Sequence, residues 1–255
     1  MKSITAMALL LNWASAAIAE NGIWTNNDWY DDVLKIGVRN GEPYSNDDVV
    51  RRRITSPISV DGDINNMDYH NFANVQRIKR IFPESQWAVG FPVANAVYTY
   101  ENFLKAAAKF PAFCNESNMP NYDDDQTCER EIAAIFAHWG QETGARSWYQ
   151  EGWEHWQQGL YWVEEIRCSG TNLSSCDYKS TNWSKEQDAW PPQANAQYYG
   201  RGPFQLSWNY NYGQFSNIFA PSAYDSKMYL LNNPDLVHED GFLAMASGIW
   251  FYMTP

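Results

Sequence analysis

Positive charge is what this chain has least of. Lys and Arg total 18 against 30 Asp and Glu, which leaves a net charge of −12 and a pI of about 4.7. Such a surface repels phosphates, so nucleic acid is excluded as a partner and an anionic membrane is disfavoured. A neutral polymer suits it better than a polyanion. Metal-ligating residues are also sparse. There are four His and four Cys, with no Cys-x-x-Cys pair and no His beside a Cys, so a zinc site is not expected. The acidic run Asp123-Asp124-Asp125 lacks the ligand spacing of an EF-hand. No cofactor or metal is called for. Beyond the N-terminus no apolar run is long enough to span a bilayer. Internal repeats and low-complexity segments are absent.

What remains is a chain of 255 residues, enough for one large domain or two small ones, with 45% hydrophobic residues to build a core. Aromatics reach 16%, including 13 Trp. Most belong to the core, but rings in such number also suit a cleft for sugars, whose apolar faces stack on them.

The N-terminus has the form of a signal peptide. Lys2 supplies the positive start, Ala6 to Ala19 the apolar stretch, and Ala17-Ile18-Ala19 a cleavage site ahead of Glu20. The expected product is a secreted, extracellular protein. Four Cys then read as disulfides. Three pairings are open. The local one joins Cys114 to Cys128 and Cys168 to Cys176, each closing a short polar loop, and is the pairing expected. Sequons begin at Asn115, Asn172 and Asn182.

Residues 20–67 are polar and aperiodic and read as an N-terminal extension packed on the domain around Trp24, Trp29 and Tyr30. Arg51-Arg52-Arg53 within it reads as a solvated turn. From Asn74 the pattern firms. Val75, Ile78 and Ile81 predict a short helix before Phe82-Pro83. Thr99 caps a second, with Tyr100, Phe103, Leu104 and Ala107 on one stripe, which should end before Pro111. Asp123 to Asp125 read as the cap and dipole complement of a third. That helix carries Ile132, Ile135, Phe136 and Trp139 on one face and ends near Glu142. Residues 170–197 form a long surface loop. Two helical stretches follow Gly213, the second carrying Phe242, Met245, Ala246, Ile249 and Trp250.

Two runs carry the chemistry. One is residues 131–144, a helical run with Glu142 at its end, where a carboxylate faces the negative pole of the helix dipole, a placement that suits a proton donor. The other is Tyr198-Tyr-Gly-Arg-Gly-Pro-Phe-Gln-Leu-Ser-Trp-Asn-Tyr-Asn-Tyr-Gly213, dense in aromatics and amides. Between them lies Glu164-Glu165. Acids separated by such a stretch are what cleavage of a sugar polymer needs.

At these residues the chain resembles the family 19 glycoside hydrolases, the plant-type chitinases. Residues 98–111 resemble the family's opening helix, and residues 131–144 the helix ending in His-Glu-Thr-Thr-Gly-Gly. Residues 198–213 are very similar to its Tyr-Tyr-Gly-Arg-Gly-Pro-Ile-Gln-Leu-Ser-x-Asn-Tyr-Asn-Tyr-Gly signature. Residues 249–255 resemble its Leu-Trp-Phe-Trp-Met-Thr-Pro. The resemblance covers residues 68–255 and implies a mainly α, lysozyme-like, two-lobed helical domain with long loops. It gives Glu142 the role of general acid. Counting from Gly159 gives Glu165, not Glu164, that of general base. Ser207 matches the serine that holds the attacking water. Trp190, Gln205, Tyr210 and Asn211 match residues lining the sugar subsites.

The implied activity is that of an inverting endo-chitinase, a monomer acting on β-1,4 linkages of chitin or a related N-acetylglucosamine polymer. Its two carboxylates should stand roughly 6.5–9.5 Å apart, with room for water between. A weakened chitin-binding protein and a peptidoglycan hydrolase are the alternatives on the same scaffold. Three features depart from the family. Gln141 stands where the family has His, and Ala145-Arg146 where it has Gly-Gly. The family's further helices after the Met-Thr-Pro run do not follow, so the C-terminal part is expected to be missing. An uncovered apolar patch around Ile249, Trp250 and Met253 should result.

Overall fold

Apolar residues three and four apart draw the helices and fix which faces meet. The computed structural model describes residues 64–115, 123–144, 152–180, 190–219 and 228–253. The expectations for the signal peptide, for residues 20–63, for Ala145-Arg146 and for the Asn182 sequon lie outside the described residues. Helix α1 spans Ala73–Ile81 and buries Val75 and Ile78 completely. Helix α2, Glu84–Gly90, follows Pro83 and buries Trp87. Helix α3, Tyr100–Lys109, starts at Thr99, whose side chain accepts from the Asn102 amide at 3.1 Å. It ends at Lys109, two residues before Pro111, as expected.

Helix α3 is the centre. Its Phe103, Leu104, Ala106, Ala107 and Ala108 are all sealed from solvent, and three consecutive alanines let neighbours close in on every side. Buried Asn74 of α1 donates its amide to the Ala107 and Phe110 carbonyls at 2.8 and 3.2 Å, tying α1 to the end of α3. Helix α4, Asp124–Thr143, is capped by Asp123, which accepts from the Asp125 and Gln126 amides at 2.9 and 3.0 Å. Asp125 also binds Arg80 through both oxygens at 2.5 and 2.6 Å, and Asp124 lies 3.4 Å from Arg77. The acidic run is thus cap and counter-charge. Trp87, Phe91, Phe103, Phe136 and Trp139 form one aromatic cluster between α2, α3 and α4, with neighbouring ring centres 4.9–5.9 Å apart. Each ring so buried contributes roughly 1.5–3 kcal/mol.

The remaining helices are α5 (Asn209–Phe219), α6 (Met228–Asn232), α7 (Leu236–Glu239) and α8 (Gly241–Met253). Helix α5 begins four residues ahead of Gly213, inside the aromatic signature. The stretch expected as one helix before α8 is divided between α5, α6 and α7. Helix α8 is apolar almost all round and accordingly buried from Leu243 to Trp250. It packs on α3, α4 and α5. Gly248 touches Trp139: a Cβ there would stand 2.9 Å from the indole nitrogen.

That packing overturns the expected apolar patch. Ile249 and Trp250 are buried and Met253 is half-buried. Earlier segments cover them: Trp250 meets Phe215 of α5 at 5.5 Å, and Tyr252 meets Phe113 at 6.3 Å. Phe251 is the exposed member of the run. Both expected disulfides are present. Cys114–Cys128 ties the end of α3 to α4 across a Cα separation of 4.4 Å, and Cys168–Cys176 closes its loop across 5.6 Å. The first closes a loop worth about 3 kcal/mol in the chain-entropy account. No helix among the described residues is long and apolar enough to cross a membrane. The mainly α class is the one the sequence led us to expect.

Candidate active site

Glu142 occupies the last turn of α4 and is exposed. No hydrogen bond or ion pair among the described residues engages it. The helix end beneath it is fixed by Thr143. The buried Thr143 hydroxyl donates to the Trp139 carbonyl at 2.5 Å and accepts from the Leu160 amide at 2.8 Å. The Thr143 carbonyl takes the Tyr161 and Trp162 amides at 3.2 and 3.0 Å. The carbonyls a helix terminus leaves open are thereby joined to residues 160–162, which lead directly to Glu164-Glu165. One turn before Glu142, on the same face of α4, His138 lies against Phe204 with ring centres 5.4 Å apart. The acid's face of the helix therefore looks toward residues 200–207.

Those residues form a small antiparallel ladder with residues 163–165. The Glu165 amide donates to the Gly200 carbonyl and the Gly202 amide to the Val163 carbonyl, both at 2.8 Å. Arg201 and Leu206 exchange amide bonds at 3.2 and 2.8 Å. Alternation along such a ladder sends Glu164 and Glu165 to opposite faces. Glu164 pairs with Arg201, so it shares that residue's face. There its carboxylate accepts from the Ser169 hydroxyl at 2.6 Å and from the Tyr199 hydroxyl at 2.9 Å, with His238 3.9 Å away. Burial pushes the Tyr199 phenol up to about 12, and Glu164 adds to the rise, so the phenol stays a donor.

Glu165 turns to the other face, where the ladder offers Gly200 and Gly202. The Gln205 side chain fills the space a Cβ on Gly200 would need, with its Oε1 2.8 Å from that point. Glu165 and Gln205 thus share a face across a glycine, a role for Gly200 that the sequence reading did not single out. Glu165 is bound by Arg167, whose guanidinium also donates to the Tyr178 hydroxyl at 3.2 Å. The bond to Glu165 is the largest cause of Arg167 holding its proton more tightly than usual, and it keeps the carboxylate beside a fixed cation.

The other expected residues gather at the start of α5. The Ser207 hydroxyl donates to the Gln205 carbonyl at 2.8 Å, and the Asn211 amide group donates to the Ser207 carbonyl at 2.9 Å. The Tyr210 ring lies nearly parallel to that of Trp208, centres 6.3 Å apart. Gln205, at φ 50°, bends the chain into this turn and donates to the Gly202 carbonyl at 3.1 Å. Trp190 stands apart from this group. Its carbonyl accepts from Asn209 at 2.7 Å and its ring covers Gly213, on a face of α5 different from that of Asn211. Among the described residues no cluster of His, Cys, Asp and Glu is arranged to hold a metal ion.

The arrangement offers an unengaged carboxyl group on a helix end, a carboxylate held beside a cation, and amide and hydroxyl groups gathered at the start of α5. A family model described as "Chitinase class I" matches residues 90–255. The chain is 37% identical over 163 residues to "Endochitinase CH25" of Brassica napus, a match covering 64% of this chain and 42% of that protein. It is 37% identical over 163 residues to "Inactive chitinase-like protein 1" of Hevea brasiliensis, covering 64% and 44%. The solved structure of a family GH19, class IV chitinase from Zea mays overlies it with a TM-score of 0.50 at 26% identity, covering 69% of this chain and 72% of that one. The chain spans less than half the length of these two curated relatives.

Proposed function

The chain belongs to the class I chitinase family, the family 19 glycoside hydrolases, and from that premise we propose that it is a secreted endo-chitinase cleaving β-1,4 linkages between N-acetylglucosamine units with inversion. Glu142 protonates the glycosidic oxygen. Glu165 takes a proton from the water that attacks the anomeric carbon from the opposite face. The Ser207 hydroxyl and the Gln205 amide hold that water and the sugar beside it, Tyr210 and Asn211 line the subsites, and Trp190 backs α5 from its other face. Proton transfer of this kind contributes about 10²–10⁴ in rate. The observation that carries the reading is the split of the acidic pair across the ladder. Glu164 is bound by Ser169 and Tyr199, whereas Glu165 faces the glycine side with Gln205.

A second reading, a chitin-binding protein of weakened activity, has support in the equal likeness to a relative named as inactive and in Gln141 where the family has His. One experiment separates them. Reducing sugar released from soluble chitin by the purified chain, with fresh product as the α-anomer by NMR, is the outcome expected of the enzyme. Retention on chitin without release marks the second reading. Release of β-anomer overturns the inverting assignment.

A further inference from the structure

On the base side of the site lies a surface pocket of about 430 Å³ that no step above uses. Ser174, Ser175, Asp177, Tyr178, Lys179 and Trp208 line it. Its size falls in the range of small-ligand sites, roughly 300–1,000 Å³. Two rings form its apolar wall, Tyr178 and Trp208, edge to face at 5.3 Å, and Trp208 is 39% exposed. Both residues have positive φ, 45° and 76°, a conformation bulky side chains rarely adopt. Each is pinned through its backbone. The Tyr178 carbonyl accepts from the Asn209 amide at 3.3 Å, and the Trp208 amide donates to the Tyr198 carbonyl at 2.8 Å. Strained backbone that holds an indole open to solvent points to a function for it.

The rest of the lining is polar. No hydrogen bond among the described residues engages the Ser174 or Ser175 hydroxyl. One Asp177 oxygen accepts from Gln197 at 3.1 Å, and the Lys179 ammonium donates to the Ala194 carbonyl at 2.9 Å. The buried Cys168–Cys176 bridge anchors the wall beside Ser174 and Ser175. Free hydroxyls and a half-buried and an exposed ring lining one pocket match a pyranose, which offers apolar C–H faces and polar edges. The pocket is also tied to the site through its lining residues. Tyr178 is bound by Arg167, which binds Glu165, and Trp208 directly follows Ser207.

We infer that this pocket is an outer saccharide subsite, in which the indole of Trp208 carries a sugar ring and the Ser174 and Ser175 hydroxyls bind its edge. It rests on the functional reading above. It lengthens the bound polymer on the side of Glu165 and sets the chain-length preference.

Isothermal titration of the Glu142→Gln protein with the N-acetylglucosamine trimer and hexamer tests it. Adding Trp208→Ala should weaken hexamer binding about tenfold, as loss of one aromatic anchor does, and leave the trimer within twofold. Ser175→Trp, which fills the pocket while keeping Trp208, should do the same and decides the matter if Trp208→Ala folds poorly by near-UV circular dichroism. Hexamer affinity unchanged in both variants overturns the subsite and leaves the functional reading standing. Equal loss for trimer and hexamer puts Trp208 in the central cleft and overturns it as an outer subsite. No binding of any oligomer to the Glu142→Gln protein overturns the functional reading and the subsite with it.

Discussion

The helices α1, α3, α4 and α8 and the segment 160–208 are built by different means. In the helical half, backbone groups bond within each helix and apolar stripes decide what packs where. Its polar contacts are caps, such as Thr99 and Asp123, surface ion pairs such as Arg80–Asp125, and buried bonds from Asn74 and Tyr100 to carbonyls at helix ends. In the other half, single long-range bonds do the work. Leu160 binds Asn95, Glu165 binds Gly200, and Gly202 binds Val163. Among the described residues the non-glycine positions with positive φ are Cys114, Leu160, Tyr178, Gln205 and Trp208. All but the first fall in 160–208. Strain is gathered where the carboxylates and amides are placed, and the regular half supplies the stability that holds it there.

The division makes a sharp claim: changes in one half should alter activity without stability, and changes in the other the reverse. The largest effect belongs to Glu142→Gln. It removes the proposed proton donor and keeps its shape, so kcat should fall by about 10²–10⁴. The side chain is exposed and engages nothing, so unfolding free energy should stay within about 0.5 kcal/mol. Turnover of chitin oligomers and a thermal melt on one sample measure both. A variant that melts early would show Glu142 to belong to the scaffold.

Ala107→Leu is the converse. Ala107 is fully buried on α3, the helix that packs on both α1 and α8. Overpacking of this kind costs about 1–3 kcal/mol. For a chain of this size the melting temperature should drop by roughly 2–12 °C, while kcat at a temperature well below the melt stays within twofold. Thr99→Ala is milder. It removes the one side-chain bond that α3 has at its N-cap and should cost about 1 kcal/mol by denaturant titration, again with kcat unchanged.

The same division explains what could be read from the sequence. Helices α1, α3, α4 and α8 follow from i, i+3 and i+4 spacing, and their caps from Thr99 and Asp123 standing just ahead of an apolar stripe. The disulfides followed from short loop closure. The start of α5 at Asn209 is not visible in the sequence, because Asn209, Tyr210 and Asn211 carry no apolar stripe. It begins there because Asn209 is pinned to Ser180 and Trp190 by side-chain bonds from distant sequence. The patch expected at Ile249 and Trp250 failed for a related reason: an apolar helix does not announce that Phe215, from an earlier helix, will cover it. At the candidate site the residue types were legible from the motif, but their division across a ladder was not. Residues 163–165 and 200–202 meet through isolated bridges and show no alternation of apolar and polar residues.

The contrast between two neighbouring acids tests that ladder most directly. Glu164 and Glu165 are adjacent and chemically identical, so composition and position cannot tell them apart. Geometry can. The Glu164 carboxylate accepts from Ser169 and from Tyr199, whose phenol is pushed up to about 12 and so remains a donor at any working pH. Glu164→Gln keeps an oxygen for Tyr199, and its NH₂ group can donate to the Ser169 hydroxyl in place of the lost acceptor. The exchange of a charged for a neutral hydrogen bond should cost about 0.5–1.5 kcal/mol of stability and change kcat less than fivefold. Glu165→Gln keeps shape as well, but it removes the proposed base from the face shared with Gln205, and kcat should fall nearly as far as in Glu142→Gln. The two variants measured side by side decide the assignment. If Glu164→Gln is the inactive one and Glu165→Gln the near-neutral one, the base sits on the Arg201 face of the ladder. The division between a stabilising and a reacting face would then be inverted.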